Sequence, residues 1–74
     1  MSDTDFSTGN GTQDLSEEIA CMKALVTFML KAMGQADAGK VIINMEHYIA
    51  QLTDRHQADV FARTIGQIKQ AYRQ

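Results

Sequence analysis

Leu15–Met33, LSEEIACMKALVTFMLKAM, decides the fold class. Leu15, Ile19, Met22, Val26, Met29 and Met33 follow one another in alternating steps of four and three, the spacing of a helix that packs along its length. A second row, Cys21, Leu25, Phe28 and Ala32, repeats the rhythm beside the first. At 3.6 residues per turn the two rows merge, with Leu30 at their edge, into an apolar arc over more than half the helix. Ser16, Lys23, Thr27 and Lys31 make the only strip suited to water.

The remainder of the chain fits around this helix. Residues 1–12 are rich in Ser, Thr, Asp and Gly and hold one large side chain, Phe6, so they are expected to form a disordered tail. The helical domain is expected over 13–74. Helix one is predicted over about 14–33, with Asp14 and Glu17 as a capping box, Thr12 as the competing cap and Gly34 as the left-handed stop. Residues 34–39 read as a turn. Asp37 then caps a second helix over about 38–52, whose stripe is Ile42, Met45, Ile49 and Leu52, with Ile43 on its exposed side. After a turn at 53–56, Asp54 and Gln57 open a third helix over about 55–73. Its stripe is Ala58, Phe61, Ile65, Ile68 and Tyr72, interrupted by Gly66, where a neighbouring backbone is expected to pass close. The prediction is all-α: a three-helix antiparallel bundle, since short connections favour antiparallel neighbours.

Composition excludes several function classes. Seventy-four residues with one cysteine cannot be a disulfide-stapled scaffold, and a lone thiol suits a reducing compartment. The start of the chain has neither the basic nor the apolar region of a secretory signal. No run approaches the ~20 apolar residues of a membrane span. A cytoplasmic protein without membrane contact is expected.

Two runs carry a further resemblance. LKAMGQADAGKV, Leu30–Val41, and IKQAYRQ, Ile68–Gln74, are distinctive strings rather than generic heptads. On them the chain resembles the YecF-like family of short enterobacterial proteins. That resemblance implies a small helical bacterial protein in the cytoplasm and brings with it no activity, cofactor or catalytic residue.

The residues themselves give no chemistry either. Cys21 lies on the apolar arc, away from both histidines, and is expected to pack as a small hydrophobe rather than react. His47 and His56 stand apart without any metal-ligand spacing, and no phosphate-binding loop is present. The chain is read as having no catalytic, cofactor or metal site and as not being an enzyme.

What remains is association. Helix one is more apolar than a three-helix monomer requires, and four of the five methionines (Met22, Met29, Met33 and Met45) suit adaptable surfaces. The favoured reading is a protein-protein interaction module, a homodimer whose interface holds Cys21, Leu25, Phe28 and Ala32. The alternative is a nucleic-acid-associated regulator touching an anionic partner through Arg55, Arg63, Lys69 and Arg73. It ranks lower, because the net charge is −2 and four cations give weak, salt-sensitive binding.

Overall fold

The computed structural model describes residues 5–74. Three helices follow in order: α1 Thr12–Met33, α2 Gln35–Ala50 and α3 Arg55–Tyr72. Residues 5–11 carry no helix or strand, and residues 1–4 of the expected tail lie outside the described residues. Among the described residues no helix is long and apolar enough to cross a membrane.

The helices form an antiparallel bundle in which every pair is in contact. Lys69 reaches Glu46 while Phe61 meets Tyr48, so α3 descends as α2 rises. Lys23 of α1 donates to Gln67 of α3, while Ile19, a turn earlier in α1, opens beside Phe61 and Ile65, so these two helices run the same way. The core is small: Leu30, Ala38, Ile42, Ile68 and Tyr72, with Val26 and Ile65 packed against it. The stripes expected on α2 and α3 do face inward. Ile42 is buried, Met45, Ile49 and Leu52 are half-buried, and every position of the α3 stripe is at least half-buried.

Several boundaries differ from expectation. Helix α1 starts two residues early, with Gly11 as its cap and no side-chain capping bond, so Asp14 and Thr12 both lie inside the helix. Helix α2 starts three residues early. Gly34 alone separates it from α1, and Asp37 sits in its first turn rather than at its cap. Gly34 adopts φ 93° and ψ 158°, outside the left-handed helical region but in territory essentially reserved for glycine. That single residue makes the corner, because Gln35, Ala36 and Ala38 are adequate helix formers with nothing to delay them.

At its other end α2 stops at Ala50. Gln51 and Leu52 donate their backbone N–H groups to the carbonyls of Tyr48 and Ile49, three residues back, in a tightened final turn. Asp54 caps α3 as expected, accepting the Gln57 backbone N–H at 2.9 Å. Gly66 does not mark a close approach: a Cβ placed there meets nothing within 4 Å.

Candidate functional site

The orientation of α1 reverses part of the sequence reading. Its inward face is Lys23, Val26, Thr27 and Leu30, of which Thr27 and Leu30 are buried and the other two half-buried. Two of these four belong to the strip expected to meet water. Local bonds make that placement tolerable. The Thr27 hydroxyl donates to the Lys23 carbonyl oxygen at 2.8 Å, leaving its methyl group to pack. The Lys23 ammonium escapes along the α1–α3 seam and donates to Gln67 Oε1 at 2.8 Å.

The apolar arc consequently faces outward. Leu15 is 49%, Met22 53%, Leu25 49%, Phe28 64%, Met29 53% and Met33 45% exposed. Of the row read as the packing seam, only Val26 is even half-buried. The four expected interface residues, Cys21, Leu25, Phe28 and Ala32, are all exposed on this helix. Cys21, expected to pack as a small hydrophobe, has a free thiol that is exposed in the single chain. Ile19, 49% exposed, opens instead onto an apolar cleft of about 450 Å³ with Met45, Val60, Phe61 and Ile65.

Surface area puts a scale on this face. The chain exposes 5878 Å², where a compact monomer of its mass exposes about 4,500 Å². The difference is about 1,300 Å². The irregular residues 5–11 account for part of the excess. The outward face of α1 contributes exposed large apolar side chains to this surface.

The basic residues form no comparable feature. Arg55 and Arg73 are exposed at opposite ends of α3, eighteen residues or about 27 Å apart at 1.5 Å per residue. Arg63 points away from the core, and Arg73 lies over the Tyr72 ring at 6.0 Å. Lys69 is already engaged, donating to Glu46 Oε2 at 3.1 Å. These four cations do not converge on one spot where a phosphate would sit. Among the described residues no three of His, Cys, Asp and Glu come together as a metal site. His47, at the end of α2, and His56, at the start of α3, are both exposed.

A family model described as "Protein of unknown function (DUF2594)" matches residues 1–74. The "Uncharacterized protein YecF" of Escherichia coli (strain K12) is 55% identical over 74 residues, covering 100% of both chains. The protein of the same description from Shigella flexneri matches with the same identity and coverage. No solved structure matches.

Proposed function

We propose that this chain, which belongs to the family of proteins of unknown function DUF2594, is a small non-catalytic interaction module that pairs with a second copy of itself. The outward face of α1 carries the reading. Seven large apolar side chains from Leu15 to Met33 are each 45–64% exposed along one helix. A contiguous apolar strip of this kind marks an interaction surface, because water contact with it is unfavourable and association removes that contact. A second copy is the partner proposed, since it brings an identical apolar row, and pairing α1 with α1 forms a self-complementary interface around a two-fold axis.

Sedimentation equilibrium at micromolar concentration tests the reading, comparing the parent with Phe28→Glu. Phe28 is 64% exposed in the single chain, so the substitution leaves the bundle folded. In the dimer the two-fold axis counts the change twice. Even ~2 kcal/mol per buried carboxylate, toward the low end for an unpaired group, gives about 4 kcal/mol and close to a thousandfold in Kd. The expected result is a dimeric parent and a monomeric variant with unchanged helical circular dichroism. A parent that sediments at 8.2 kDa overturns the proposal. A dimer indifferent to Phe28→Glu moves the interface off this face.

A further inference from the structure

The outward face of α1 is not uniform along its length. Residues 5–11 run back beside the first turns of the helix. The Gly9 backbone N–H donates to Glu18 Oε2 at 2.6 Å. A Cβ on Gly9 would stand 2.8 Å from the Cβ of Asp14, so arm and helix touch there. Phe6, Ser7 and Thr8 on one side and Leu15, Ile19 and Met22 on the other wall an open groove of about 720 Å³. Phe6 is 89% exposed, so the arm does not fill the groove with its own ring.

Charge is sorted along the same helix. Asp14, Glu17 and Glu18 lie in its first third, and Lys23 and Lys31 lie beyond them. The Lys31 ammonium leans over the Phe28 ring, 5.9 Å from its centre, at the edge of the outward face.

We infer that this groove receives the Leu25–Ala32 segment of a second copy, in an antiparallel α1–α1 pair whose two-fold axis passes near residues 23 and 24. The inference rests on the self-association proposed above and adds its direction and its contacts. Charge selects the direction. A parallel pair sets the acidic turns against each other and aligns the helix dipoles unfavourably, whereas the antiparallel pair separates the acidic turns and opposes the dipoles.

Register follows from the apolar spacing. Leu15, Glu18, Met22, Leu25, Met29 and Ala32 make a seam in steps of three and four. With the axis placed there, Leu25 stands opposite Met22 of the second copy, Met29 opposite Glu18, and Ala32 opposite Leu15. Glu18 is the one charged position in that seam, and its carboxylate already accepts the Gly9 amide, so pairing does not leave it without a partner. The arm thus completes the site: it gives the seam's charged position a hydrogen-bond donor and walls the groove that the second copy enters.

Disulfide trapping reads the direction. In a Cys21→Ser background, Leu15→Cys and Ala32→Cys variants are oxidised separately and as an equal mixture, and products are identified by intact mass. In the antiparallel pair position 15 of one copy faces position 32 of the other, while two copies of position 15 are about 26 Å apart along the axis. A disulfide requires Cα atoms within about 7 Å. The mixture should give mixed disulfides at least tenfold more readily than either variant gives homodisulfides. Efficient homodisulfides from a dimeric parent overturn the inference and leave self-association standing. A monomeric parent overturns both. A monomer whose Phe6 ring protons contact Leu15 or Met22 by NMR gives the groove to the chain's own arm and also overturns the inference.

Discussion

Alanine in place of glycine should have opposite effects at three positions of this chain. At Gly34 a Cβ meets nothing within 4 Å, so a side chain fits spatially. The obstacle is conformational, since φ 93° with ψ 158° is a region L side chains scarcely enter. Holding alanine there costs about 1–3 kcal/mol. Gly39 and Gly66 lie inside α2 and α3, also with nothing within 4 Å of an added Cβ. Alanine at either should stabilise by about 1 kcal/mol, the helix-propensity difference between the two residues. For a chain of this size 1 kcal/mol moves Tm by roughly 4–8 °C. Gly34→Ala should therefore lower Tm by roughly 5–20 °C, and Gly39→Ala and Gly66→Ala should each raise it by roughly 4–8 °C. Melting followed by circular dichroism reads this, at one protomer concentration because association adds to apparent stability. A Gly34→Ala protein as stable as the parent, or losses at both helical positions, would refute the reasoning.

Other expectations follow from single contacts. Asp54→Ala removes the acceptor of the Gln57 amide and should cost about 1 kcal/mol in urea unfolding, with Asp54→Asn close to the parent; equal losses in both would deny the cap its role. Thr27→Lys should destabilise the bundle by several kcal/mol, because Thr27 is only 9% exposed; a neutral result would return it to the water-facing strip. The Asp5 carboxyl is held below its ordinary pKa by the Ser7 hydroxyl and then by the Ser7 backbone N–H. A lowered folded-state pKa means that these bonds favour the turn above the ordinary carboxylate range and are lost as pH falls through the lowered value. Ser7→Ala should raise the Asp5 titration toward the ordinary value in a carboxyl-detected NMR series, and an unchanged titration would contradict the assignment.

How much of this was legible depended on the helix. On α3 polar and apolar residues separate cleanly, and the stripe from Ala58 to Tyr72 turned inward as read. The α2 stripe did the same. On α1 the apolar residues nearly encircle the helix, so no single direction is favoured by composition, and the polar strip offered the only cue. That cue misled because neither of its inward members behaves as a polar surface group. Thr27 bonds its own helix and packs like valine, and Lys23 lays its stem along the seam and places its charge at the rim. The excess of apolar surface was legible, but its direction depended on contacts with α2 and α3. The helix starts failed for a related reason. Aspartate is favourable both at a cap and in the first turn, where it meets the positive end of the dipole, so Asp14 and Asp37 signalled a beginning without fixing its residue.

The corner at Gly34 also governs how the chain tolerates changes in length. Surface connections ordinarily absorb insertions because their backbone has room to re-route. Here there is no slack, since helix continues directly on both sides of one residue held in a glycine-only conformation. An inserted residue would have to join one of the helices, turning everything beyond it by about 100° and rotating that helix's buried face out of register. Ala38, fully enclosed four residues after the corner, would be the first to leave its place. The α2–α3 connection at 51–54 has irregular backbone to give. Tags, insertions and permuted termini should be accepted there and rejected at Gly34.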